Sequence, residues 1–142
     1  MIEAPVLDRM FREATVRSLT PDTTEDPVAW LERHYYIPSE LSSRPGRYRF
    51  DGFDYNRGIV RAYVDPDIRR IDYMKSTQVG WTTFMVGLML FAAGSQRRSM
   101  LVIMHDQYAA EEELNNNRLK RVIPRCEPVA AMVGSSWHDL KK

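Results

Sequence analysis

The chain lacks most of what makes a function class readable at a glance. It has one cysteine, Cys126, which excludes an internal disulfide framework and a multi-cysteine zinc site. Its three histidines, His34, His105 and His138, are well separated, so no local metal motif is present. Charge of one sign is lacking too. Twenty Lys and Arg against 19 Asp and Glu leave a formal net charge of +1. A free-standing nucleic-acid module usually carries a larger basic excess, so net charge gives no support to a DNA-binding tail and leaves only a local patch open. Long hydrophobic runs are missing as well. The longest apolar stretch, Phe84 to Ala93, is ten residues, where a spanning helix takes about 20. The first 20 residues mix Glu3, Asp8, Arg9, Arg12, Glu13 and Arg17 and hold no apolar signal core. The expectation is a soluble protein of a reducing compartment.

What is present suffices for a small core. A length of 142 residues fits one domain or part of one, and 44% hydrophobic with 27% charged residues is too apolar for a disordered chain. Residues 1–26 read as a loose leader and 135–142 as a tail. Asp26-Pro27 has the form of a helix start, with an N-cap followed by proline at the first helical position. The helix predicted there, Pro27 to His34, turns Val28, Leu31 and Trp30 inward. Residues 37–54 read as loop, broken by Pro38, Ser42, Ser43, Pro45 and Gly46. Tyr55 to Val64 is predicted helical with Ile59, Val60 and Tyr63 on one face, and Asp65-Pro66 stops it.

Residues 70–74 then read as a short strand, Thr82 to Ala93 as an apolar helix, and Met100-Leu101-Val102-Ile103-Met104 as the clearest strand. That continuous apolar run suits burial on both faces, as in a parallel sheet. Asp106 is placed to cap a helix running to about Val122, acidic early at Glu111, Glu112 and Glu113 and basic late at Arg118, Lys120 and Arg121, which complements the helix dipole. At most one short helix follows Pro124. The strand–helix–strand part implies a right-handed parallel crossover, hence an α/β fold.

The stretch with chemical content is Lys75-Ser76-Thr77-Gln78-Val79-Gly80-Trp81-Thr82. It follows a predicted strand and opens a predicted helix, the context of a phosphate-binding loop. Against the pattern G-x-x-x-x-G-K-[ST], Gly80 and Thr82 match, whereas Lys75 stands at the first glycine and Trp81 at the lysine. As a bare pattern this fails, and spacing alone favours a plain polar turn with a surface lysine. The physical requirements are nevertheless met: backbone N–H groups at a helix start, a glycine that permits close approach, and one long ammonium side chain.

In order along the chain, several segments resemble the lambda-type phage terminase large subunit family. Lys75 to Gly80 looks like its phosphate loop with the lysine displaced to the loop's beginning. Ser42-Ser43-Arg44-Pro45-Gly46-Arg47-Tyr48-Arg49 resembles its S-x-x-P-G-R-[WY]-R stretch. Tyr55-Asn56-Arg57 with Asp65-Pro66 resembles its P-Y-Q-R-E segment and the D-P that follows. Leu101 to Met104, Ala109-Ala110-Glu111 and Arg118-Leu119 are similar to the strand and helix after the loop. Together the matches span residues 27–134. In this chain Asp54 stands at the proline and Asn56 at the glutamine of the P-Y-Q-R segment, Trp81 stands where many relatives carry a second lysine, and Met104-His105-Asp106 replaces Q-P-T.

The resemblance implies a partial P-loop NTPase, a parallel β-α-β-α unit preceded by a helical and loop leader. It implies ATP and Mg²⁺ as cofactors, with Lys75 as the catalytic lysine stabilising phosphate charge. Ser76, Thr77, Gln78, Val79, Gly80 and Trp81 form the nucleotide loop, Thr82 is the Mg²⁺ ligand, and Tyr55 stacks on adenine. The implied partners are double-stranded viral DNA, the terminase small subunit and the portal or procapsid, reached through the full-length protein in the host cytoplasm. An acid-ended strand and a carboxylate-rich nuclease domain are not found after Val122. The chain is therefore expected to be the N-terminal, ATP-binding part of a packaging motor, to hydrolyse ATP little or not at all alone, and to expose an unpaired sheet edge. Two alternatives stay open: a non-catalytic remnant or nucleotide- or partner-binding module, and a part of a helicase-like P-loop ATPase.

Other features have bland readings. The arginines Arg44, Arg47 and Arg49 with Tyr48 and Phe50 suit a loop pinned on the body better than a DNA contact. Glu111 to Glu113 suit a solvated face, His105 a loop, and Cys126 an inert thiol.

Overall fold

A computed structural model of the chain describes residues 25–133. The expected tail 135–142 and all of the expected leader except Glu25 and Asp26 lie outside the described residues.

Helix α1, Pro27–His34, begins where local chemistry dictates. The Asp26 carboxylate accepts from the N–H groups of Val28 at 3.4 Å and Ala29 at 3.2 Å, and Pro27 sits where no N–H is needed. Helix α2, Tyr55–Val64, buries Val60 and Asn56 and ends at Asp65, ahead of Pro66. Helix α3, Trp81–Gly94, is apolar almost all round, and such a helix belongs inside a bundle. It packs between α1 and the later helix α5, Glu127–Val133. Its Gly87 lets the Tyr35 ring approach: a Cβ there would come within 2.9 Å of that ring.

The helix predicted from Asp106 takes a different form. The Ala109 N–H donates to the Asp106 carboxylate at 2.7 Å, so the cap is as expected. The turns that follow are a π-helix, Ala109–Leu119, then α4, Lys120–Val122, and a 3₁₀ turn, Ile123–Arg125. In the wider coil each N–H reaches five residues back, as the Lys120 N–H does to the Asn115 carbonyl.

Residues 37–54 are loop apart from one short antiparallel pair, β1 (Tyr36–Ile37) with β2 (Gly46–Arg47). Gly46, at φ +123°, makes the return possible. The pair delivers Tyr48 and Phe50 into the core. Tyr35 stacks on Tyr48 at 5.3 Å between ring centres, Tyr48 meets Phe50 edge-on at 5.1 Å, and Trp30 meets Phe91 edge-on at 5.4 Å. Leu31, Val60, Phe84, Leu90 and Val122 complete the interior.

The expected parallel β-α-β-α unit is not formed among the described residues. Segments 70–74 and 100–104 have no ladder partner among the described residues, where the one sheet is the β1–β2 pair. The physical reason lies in what a parallel pair needs. Its strands must be covered on both faces, and here the helices cover one another instead. Met74 remains 98% exposed, Leu101 85% and Ile103 82%. The described chain is a mixed, mainly helical body with one two-stranded sheet. Among the described residues no helix is long and apolar enough to cross a membrane.

Candidate functional site

The loop before α3 has the backbone a phosphate cradle uses. Gly80 is the N-cap of α3 at φ +70°, in the left-handed region, and Gln78 is there too at φ +61°. Left-handed backbone strains L side chains, so Gly80 takes the tight turn at no steric cost. No side chain caps α3, and its first intrahelical bond runs from the Phe84 N–H to the Gly80 carbonyl at 3.0 Å. The first N–H groups of the helix are therefore free of a side-chain acceptor, at the positive end of the dipole.

Around this helix start lies a cavity of about 610 Å³, lined by Gly80 and Thr83, by Phe53 and Asn56, and by the arginine loop from Ser42 to Arg49. Asn56 is the notable wall. It is 2% exposed, its amide N–H₂ donates to the Tyr48 hydroxyl at 3.4 Å, and its carbonyl oxygen has no partner. A buried polar atom without a partner is costly. That oxygen is shut off from solvent, so it is a cost of packing the loop and not a group open to the cavity.

The predicted site residues are only partly gathered here. Gly80 lines the cavity. Lys75, Ser76, Thr77, Gln78 and Thr82 are exposed and do not line it, and the Lys75 ammonium donates to the Ser76 carbonyl at 3.5 Å. Trp81, at the usual lysine position, stacks on Tyr73 at 4.4 Å between ring centres, tying segment 70–74 to the start of α3. The Tyr55 hydroxyl donates to the Val79 carbonyl at 3.1 Å, so this residue holds the loop by its edge while its ring stays exposed.

The arginines of the preceding loop divide in two. Arg49 approaches Glu32 at 3.6 Å. Glu32 also accepts from the Phe50 N–H at 3.2 Å and lies 3.7 Å from Arg57, which bonds Asp54 at 3.1 Å and sits over the Phe50 ring. That network pins residues 49–57 to α1. Arg44 and Arg47 have no carboxylate partner among the described residues. Sequence reasoning missed the convergence of this loop, Asn56 and Gly80 on one cavity; the resemblance of residues 42–49 was the available signal.

For Mg²⁺ the donor set is thin. Thr82 offers one exposed hydroxyl, and among the described residues no three His, Cys, Asp or Glu cluster to hold a metal. His105 pairs with Asp106 at 3.3 Å on the surface. Cys126 is buried, and burial pushes its thiol pKa up, the opposite of a reactive cysteine.

Comparison with known proteins decides the family. The family model for the phage terminase large subunit gpA, ATPase domain, matches residues 42–141. The chain belongs to this terminase family. It is 29% identical over 106 residues to the terminase large subunit of Enterobacteria phage P21, covering 75% of this chain and 16% of that protein. It is 28% identical over 133 residues to the terminase large subunit of Escherichia phage lambda, covering 92% of this chain and 20% of that protein. This terminase-family chain thus spans a fifth or less of the length of these curated relatives. No solved structure matches it.

Proposed function

We propose that this terminase-family chain forms the ATP-binding part of a motor that drives viral DNA packaging. The observation that carries the reading is the left-handed Gly80 opening an uncapped helix beside a cavity with arginines in its wall. Phosphate oxygens would accept from the first N–H groups of α3 and from the Lys75 ammonium, swung off the Ser76 carbonyl. The base would meet the exposed ring of Tyr55. Bound Mg²⁺ supplies charge neutralisation at the phosphates, and Thr82 is the residue that would hold it. On this reading residues 27–134 belong to a P-loop-type ATPase domain, and segments 70–74 and 100–104, unpaired in this chain, become strands of its parallel sheet only in a longer protein that supplies neighbouring strands. Double-stranded viral DNA, a small subunit and a portal or procapsid are the partners, and the host cytoplasm is the location.

Lys75 decides between this reading and a second one. Its ammonium rests on the Ser76 carbonyl, outside the cavity, which favours a partner- or nucleotide-binding module without a catalytic lysine. Equilibrium titration with a fluorescent ATP analogue and Mg²⁺ separates them. Replacing Lys75 by alanine should weaken binding roughly tenfold or more, the effect of losing one charge-assisted hydrogen bond. Steady-state hydrolysis by the 142-residue chain should be absent or very slow. Binding indifferent to Lys75 would establish the module reading instead.

A further inference from the structure

Near-neutral net charge hides a local concentration of cations in a second cleft. A cleft of about 430 Å³ is lined by Arg33, His34, Tyr36, Arg47 and Arg125. These residues come from the last turn of α1, from β1 and β2, and from the 3₁₀ turn before α5. Two of the three guanidiniums are anchored through a backbone carbonyl. Arg47 donates to the Arg33 carbonyl, and Arg125 donates to the Arg121 carbonyl at 2.6 Å. Each guanidinium has five N–H donors in a planar fork, so most donors of Arg47 and Arg125 remain unused. Neither has a carboxylate partner among the described residues, whereas Arg33 pairs with Glu25 at 2.7 Å. Glu40 is the other acid nearby. Its carboxyl is held below the usual range first by its own backbone N–H, then by the Ser39 hydroxyl and by the fields of Arg125 and Arg121.

Guanidiniums do not deprotonate in proteins, so like charges brought together this way repel until an anion enters. A guanidinium fork matches two phosphate oxygens at once. The lining holds two rings, Tyr36, 42% exposed, and His34, which also packs on Trp30 at 5.0 Å between ring centres. Flat faces beside cations suit bases flanking a phosphate.

We propose that the Arg33–Arg47–Arg125 cleft is a second anion site, separate from the α3 loop, that takes phosphodiester groups of a nucleic-acid strand. Arg47 lines both this cleft and the α3 cavity, whereas Arg125 lines only the cleft, so Arg125 tests the site independently of the nucleotide reading.

The test is fluorescence anisotropy of a labelled oligothymidylate with the 142-residue chain at low salt. Wild type should bind, and Arg125→Glu should weaken binding about tenfold or more. Arg125→Ala should reduce the slope of log affinity against log salt by about 0.7, one phosphate contact on a single strand. Arg70→Ala, outside the cleft lining and paired with Asp72 at 2.8 Å, should change nothing, and the affinity for the ATP analogue should be unaltered in both Arg125 variants. Absence of oligonucleotide binding overturns the proposal. So does binding unchanged in Arg125→Ala, which also decides the matter if Arg125→Glu loses its helical circular dichroism. Polyglutamate competing as well as the oligonucleotide would show an acidic-peptide site, and inorganic phosphate doing so at equal phosphate concentration would show a free-phosphate site. Either result overturns the nucleic-acid assignment.

Discussion

Two apolar regions of this chain meet opposite fates. Residues 84–92 of α3 are almost wholly buried, against Tyr35, Trp30 and Leu31. Residues 100–103 are as apolar and lie exposed to solvent. Hydrophobicity alone therefore did not decide burial. A helix satisfies its backbone hydrogen bonds within itself and needs only something to pack against. An extended segment needs a neighbouring strand for its N–H and C=O groups before its side chains can be covered. The helices found packing partners nearby, and the two extended segments found no ladder.

The largest break in that comparison should come from truncation inside the buried region. Phe91→Ala removes a ring packed on Trp30 and should cost about 3–5 kcal/mol in chemical denaturation. Leu101→Ala, the same kind of truncation in the exposed region, should stay within about 0.5 kcal/mol. A cost above about 1 kcal/mol for Leu101→Ala would mean that segment 100–104 is covered in solution.

A smaller effect should come from overpacking the close contact at Gly87. Gly87→Val pushes branched atoms into the Tyr35 ring, whose hydroxyl is pinned on the Thr83 carbonyl at 2.9 Å. About 1–3 kcal/mol of destabilisation is expected by thermal or chemical melting.

Tyr35 also sharpens the comparison through pH. Burial raises its phenol pKa well above the ordinary value, with the nearby Tyr48 adding to the rise. The neutral form is thus favoured in the folded state. Stability from this group is fully present below about pH 10, the unfolded phenol value, and falls as pH rises further and the unfolded chain sheds the proton more readily. Tyr48 and Tyr63, also raised by burial, push the same way. Alkaline melts should show a steeper loss of stability above pH 10 in wild type than in Tyr35→Phe; equal slopes would mean the ring is solvated.

How much of this was legible in the sequence follows the range of each interaction. The helix starts at Asp26-Pro27 and Asp106 were readable because a cap and its N–H groups are two or three residues apart. The ends of α2 followed from Tyr55 and from Asp65-Pro66 for the same local reason. Gly80 was readable as a turn, and its left-handed φ agrees. The strand reading took the apolar run 100–104, and the short segment 70–74 before the loop, as evidence of pairing, and pairing depends on where another segment lies. The widening of residues 109–119 into a π-helix had no sequence signal. Asn56 was visible only as a departure from a pattern, and its burial against Tyr48 with a free carbonyl oxygen needed the packed loop.

What the sequence by itself determined is the set of short-range structures, namely the bounds of α1 and α2, the caps at Asp26 and Asp106 and the glycine turn before α3, together with membership of the terminase family. These depend on contacts within a few residues, which composition and order specify directly. Tertiary structure decided which apolar runs were covered, and it decided which arginines converged. Arg33, Arg47 and Arg125 have no relation along the chain. They face one cleft because β2 folds back on α1 and the 3₁₀ turn ends beside them. Burial and electrostatic convergence act between residues distant in sequence, so only the folded chain sets them.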